Sequence, residues 1–167
     1  MMTLPFTGVR QAPHDNLCWA AVTAGVFNFY RRPDAVRLCE VASTVRGERC
    51  CDPVPRHCDA RAALDRALRS FGLLATVSPG VINLRANSAS PSIETEITAG
   101  RPVGVGLTFG LIDHFCVVFG FDQQTGALSL ADPFFDDAVS ISYTNLKTDY
   151  RNGGRWIVTY LTRFPPA

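Results

Sequence analysis

The chain is short of charge of either sign, and of lysine above all. Charged residues make up 19% of its 167 residues, and of the 16 basic ones only Lys147 is a lysine. The arginines are scattered, 15 acidic residues oppose them, and the formal net charge is +1. That balance gives no basic tract for nucleic acid or an anionic membrane surface. No run approaches the roughly 18 consecutive apolar residues of a membrane span. The opening MMTLPFTGVRQAPHD lacks a basic stretch followed by an apolar one, so a secretory signal peptide is not expected. Neither an internal repeat nor a low-complexity segment is present. Histidine is scarce too, with three in all: His14, His57 and His114.

Cysteine is not scarce. Six stand at positions 18, 39, 50, 51, 58 and 116, four of them between Cys39 and Cys58. Such density is uncommon in a reduced cytosolic chain and points to an oxidising destination. Length sets one domain, residues 1–167, as the expectation. The apolar share of 47% is enough to bury a core.

HDNLCWAAVTAGVFNFY begins polar and turns apolar at Cys18. This predicts a buried helix over Cys18–Tyr30, stopped by RRP. Asp34 reads as the N-cap of a second helix through Val45, and Asp59 as the cap of a third that Gly72 ends. RGERCCDPVPRHCD between them is a loop. After Gly72 the pattern turns to short β-branched or aromatic runs: LLATV, VGVGLTF, HFCVVFGF, ALSLAD, AVSIS and WIVTYLTRF. A short helix is expected over Ile93–Ala99, and one or two helical turns in YTNLKTDY. Helices first and strands second argue an α+β fold of two facing lobes, about 17–72 and 73–164.

The chemistry gathers on three residues. Backbone N–H groups and the helix dipole at the start of the first helix favour negative charge on Cys18. On its own Cys18 also reads as a small buried apolar residue. His114 opens the most hydrophobic strand, and alone it reads as a satisfied core histidine. Asp132 ends the next strand, so a hairpin would return it beside His114 to fix the imidazole tautomer. A thiol paired with that imidazole can attack a carbonyl carbon. The resulting oxyanion needs donors, namely the Cys18 backbone N–H and a side-chain amide from Gln11 or Asn16.

Read in order, Q…CWAA and DHFCVVFGFD…LSLADP resemble the papain-like cysteine peptidases. They are most similar to the compact bacterial branch with effector proteases of the AvrRpt type and bacteriocin-processing peptidases. IETEITAGRPVGVGL before the histidine strand adds to the likeness, which spans about residues 8–162. The resemblance implies a papain-like fold, with a helical lobe facing an antiparallel sheet lobe. It implies Cys18 as nucleophile, His114 as base and acid, Asp132 as orienter and Gln11 as oxyanion donor, with no metal and no organic cofactor. Gln11 stands one residue further from its cysteine than in papain, and Asn16 stays open as the alternative. The third member is aspartate where papain has asparagine. Trp19 is expected to pack under the nucleophile, and Phe134 with Phe135 to roof the triad or line the cleft. LTFGLID before His114 is expected to form a mobile loop at that cleft.

An adjacent Cys50–Cys51 bond is strained, so Cys39 is expected to pair with one of the two and Cys58 with the other. The competing zinc site from three of these cysteines and His57 lacks a clean pair of CxxC spacings. Cys116 is expected as a buried free thiol.

Three functions follow from these residues. The first is a monomeric cysteine endopeptidase acting on a protein or peptide substrate. It would be an effector or toxin leaving a bacterium by a non-classical route, with an inhibitory or immunity protein in the producing cell; a cytoplasmic enzyme is the alternative. The second is an acyl transferase, transglutaminase or amidase on the same triad. Amidases of the NlpC type fit less well, because their DCSG-like nucleophile context is missing. The third is a non-catalytic binding domain stapled by disulfides. No nucleic-acid or membrane partner is expected.

Overall fold

The computed structural model describes residues 1–31, 33–87, 91–111 and 113–166. Three sequence expectations touch residues outside these: Arg32 in the RRP stop, residues 88–90 in the loop before Ile93, and Ile112 in the loop expected to be mobile.

Strand β1 is two residues, Met2–Thr3, too short for any periodicity to announce it. Helix α1 runs Cys18–Tyr30, as its apolar sequence predicts, and every residue from Cys18 to Val26 is buried. Thr23 is tolerated there because its hydroxyl donates back to the Trp19 carbonyl at 2.8 Å. Helix α2 is Leu38–Arg46, three residues later than an Asp34 cap would give. Its start is fixed by Glu40, whose carboxylate accepts from the Arg37 backbone N–H at 2.7 Å. Gly47 ends it in the left-handed conformation, at φ 71°. Helix α3 is Leu64–Ser70, so Asp59 is not its cap.

The strands follow the predicted runs: β2 Leu74–Pro79, β3 Val103–Thr108, β4 Asp113–Phe121, β5 Ala127–Ala131, β6 Val139–Ser142 and β7 Arg155–Thr162. Between them lie α4, Ile93–Thr98, capped by Ser92, and α5, Tyr143–Thr148, capped by Ser142. Among the described residues this makes five α-helices and one seven-stranded sheet, every pairing antiparallel. Its order is β2-β7-β3-β4-β5-β6, with β1 on the end of β4. The fold class is α+β.

Apolar side chains cover both faces of the sheet. On one face Trp19, Val22, Leu64 and Leu68 of α1 and α3 pack with Val117 and Phe119 of β4. On the other, Ile93 and Ile97 of α4 and Leu146 of α5 pack with Val105, Val118, Leu130 and Trp156. Alternation along β4 explains the split, since residues 117 and 119 point one way and 116 and 118 the other.

Candidate active site

β4 and β5 form the predicted hairpin, with Val117 opposite Ala131. One step beyond that pair, Asp132 comes level with Cys116, and His114 lies two residues further along the same face of β4. The result is a direct bond: His114 Nε2 to Asp132 Oδ1, 2.7 Å, with both residues 3% exposed. Asp132 is saturated with donors. Its Oδ1 also accepts from the Phe134 backbone N–H at 2.9 Å, and its Oδ2 from the Tyr150 hydroxyl at 2.6 Å. The Arg151 guanidinium stands 3.7 Å from Oδ2.

Burial opposes charge on both partners, and the bond overcomes it in each. For His114 burial works downward, but Asp132 and the Cys116 and Cys18 thiols raise it to about 12. For Asp132 burial works upward, yet the His114 and Tyr150 contacts hold the carboxyl below its ordinary value. Burial keeps Tyr150 protonated, so its hydroxyl is the donor. Burial also lifts the Cys116 thiol to about 12, against the pull of His114.

Cys18 and Cys116 are both free and buried. Cys18 is the first residue of α1; Leu17 holds the cap position, and no side chain among the described residues caps the helix there. The helix therefore starts with backbone donors left for something other than a cap. With Nε2 committed to Asp132, Nδ1 is the imidazole nitrogen left for proton exchange with a thiol.

Cys18, Trp19, His114 and Phe134 line one cleft of about 910 Å³, together with Asn16. α1 supplies one wall and the ends of β3, β4 and β7 the other. Phe134 stacks on the His114 ring with centroids 4.6 Å apart, and the Arg151 guanidinium lies over the Phe134 ring at 4.9 Å from its centroid. Trp19 is buried, and its indole N–H donates to the Ala60 carbonyl at 3.0 Å, pinning the helix start to the segment after Cys58.

Gln11 and Asn16 are placed differently. Gln11 is 1% exposed and does not line the cleft. Its amide nitrogen donates to the His14 and Asp15 carbonyls at 3.0 and 3.1 Å, and its Oε1 is buried without a partner among the described residues. Asn16 does line the cleft.

The remaining cysteines pair as Cys39–Cys51 and Cys50–Cys58. These bonds use the sulfurs that the zinc alternative would have required. Among the described residues, two groups bring donor atoms within 4.8 Å of one another: Glu48, His57 and Cys58, and His114, Cys116 and Asp132. In the first, the Cys58 sulfur is already in a disulfide. In the second, the His114–Asp132 bond holds two of the three donor atoms against each other.

Nothing in the sequence marks Tyr150 and Arg151 as partners of Asp132, since they sit in the polar turn DYRNGG. Asp59, a helix cap by its sequence context, instead accepts from the Asp15 and Asn16 backbone N–H groups just before α1. In comparisons with known proteins, the chain matches no family model and no curated protein.

Proposed function

We propose that this chain is a cysteine hydrolase of papain-like architecture that cleaves peptide bonds of a protein substrate. One observation carries the reading: a free cysteine on the first residue of a buried helix shares a cleft with a histidine whose far nitrogen is held by a buried aspartate.

The chemistry runs in two halves. The Cys18 proton passes to His114 Nδ1, and Sγ attacks the substrate carbonyl carbon. The oxygen takes the π pair and is held by the Cys18 backbone N–H. The oxyanion collapses, the C–N bond breaks, and His114 gives its proton to the leaving amine. Water then attacks the thioester while His114 accepts its proton. Loss of Sγ as leaving group frees the acid and restores the thiol. Asp132 holds the ring and its tautomer throughout. The open cleft of about 910 Å³ leaves room for a stretch of extended chain beside Cys18.

The test is product analysis with an unfolded protein such as denatured casein, in the presence of an added primary amine. New free carboxyl ends that vanish in Cys18→Ala, and fall about 10²–10⁴-fold in His114→Ala, support the reading. Amine-capped ends would move it to acyl transfer. A reactive Cys18 with neither product would overturn it.

A further inference from the structure

The geometry points to Asn16 as the side-chain oxyanion donor, held in place by Asp59, while Gln11 only supports the turn that carries it. This rests on the thiol-enzyme reading above and assigns the part of that site it leaves open.

The argument is an accounting of amide hydrogens. A glutamine amide nitrogen carries two. In Gln11 both are spent, one on the His14 carbonyl and one on the Asp15 carbonyl. Gln11 is anchored from the other side as well, its backbone N–H donating to the Pro133 carbonyl at 2.9 Å. Turning this amide toward the cleft would strand two carbonyls and unpick the turn. Asn16 is placed the opposite way. It stands two residues before Cys18 and lines the same cleft. Its amide nitrogen gives one hydrogen to the Asp59 carbonyl at 3.2 Å. The second hydrogen is left for a ligand.

Asp59 positions the donor from three directions. Its carboxylate accepts from the Asn16 backbone N–H at 2.8 Å and from the Asp15 backbone N–H at 3.2 Å. Its own carbonyl takes the Asn16 amide. Asp59 follows Cys58, which is tied to Cys50, and the next carbonyl, Ala60, holds the Trp19 indole. The disulfide-bonded segment therefore sets both the donor and the start of α1. A tetrahedral intermediate in the cleft would meet the Cys18 backbone N–H and the Asn16 amide, the two donors such a centre requires.

Two reagents separate this donor from the nucleophile. A peptide aldehyde forms a thiohemiacetal: sulfur bonds to carbon and the carbonyl π pair moves to oxygen, so an oxyanion site is used. A haloacetamide alkylates sulfur by displacing halide at a CH₂, so none is used. We would measure both for wild type, Asn16→Ala, Asn16→Asp, Gln11→Ala, Asp59→Ala and the Asn16→Ala/Asp59→Ala pair, with an N-acetylated dipeptide aldehyde and iodoacetamide. The expected result is a loss of aldehyde affinity of about 100-fold in Asn16→Ala. The loss should be at least as large in Asn16→Asp, and iodoacetamide rates should move far less. Asp59→Ala should weaken the aldehyde as well, and the pair should be no worse than Asn16→Ala alone. Should Asn16→Ala fail to fold, Asn16→Asp carries the test at unchanged size. Unchanged aldehyde affinity in the Asn16 variants, loss confined to Gln11→Ala, or a wild type that is alkylated yet takes no aldehyde would each overturn the assignment. A wild-type Cys18 that resists iodoacetamide would instead overturn the thiol-enzyme reading beneath it.

Discussion

Asp132 is the residue on which the site turns. It is buried, it accepts from three donors, and it holds a histidine that would otherwise shed its proton on burial. This fixes a pH signature. The Asp132 carboxyl lies below its ordinary 3.8 in the folded chain, so its contribution to stability is present above 3.8 and lost as pH falls through the lower folded value. His114 lies above its ordinary 6.5, so its contribution is complete below 6.5 and drains away as pH rises toward about 12. The pair stabilises most between those two ordinary values. In Asp132→Asn the bond to an imidazolium weakens and the folded His114 value falls. Urea unfolding across pH should therefore show a wild-type advantage that peaks near pH 4–6.5 and shrinks on either side. A difference independent of pH would mean that Asp132 contributes only packing and neutral hydrogen bonds. His114 and Asp132 were legible in the sequence because a strand–turn–strand pattern sets their separation. Tyr150 was not, because its bond to Asp132 bridges two segments that no local period connects.

At the scale of elements, α1 was readable to the residue because its apolar run has sharp ends. α2 and α3 start later than Asp34 and Asp59 predict, because neither carboxylate caps its helix. Side-chain carboxylates serve whichever backbone donors the fold brings near, and for Asp59 those belong to residues 15 and 16. The paired cysteines behaved as spacing and strain suggested, giving Cys39–Cys51 and Cys50–Cys58. They close loops of 12 and 8 residues' separation, which corresponds to about 2–3 kcal/mol each by chain entropy. A Cys50→Ser/Cys58→Ser variant should lose about that much in denaturant unfolding. Its loss should also reach the Trp19 environment, read as a shift in indole emission, because Ala60 anchors that ring. Unfolding that matches wild type would show that the segment is held without its disulfide.

For the whole molecule, the segregation of helices before strands made the α+β class legible, while the covering of both sheet faces was not. α4 and α5 are short, and only the alternation of β4 shows that the face away from α1 also needs a core. No helix among the described residues is long and apolar enough to cross a membrane. Two disulfides suit an oxidising surrounding, and in such a surrounding a free Cys18 must be protected by its setting. The measurement that tests the account most directly is brief alkylation of the unreduced protein with limiting iodoacetamide near pH 5.5, where an ordinary thiol is almost wholly protonated. Peptide masses of wild type and His114→Ala would then be compared. The account predicts label on Cys18, none on Cys116, the other four cysteines in their two disulfides, and loss of the label in the variant with its fold intact. An unlabelled Cys18, or equal labelling with and without His114, would contradict it.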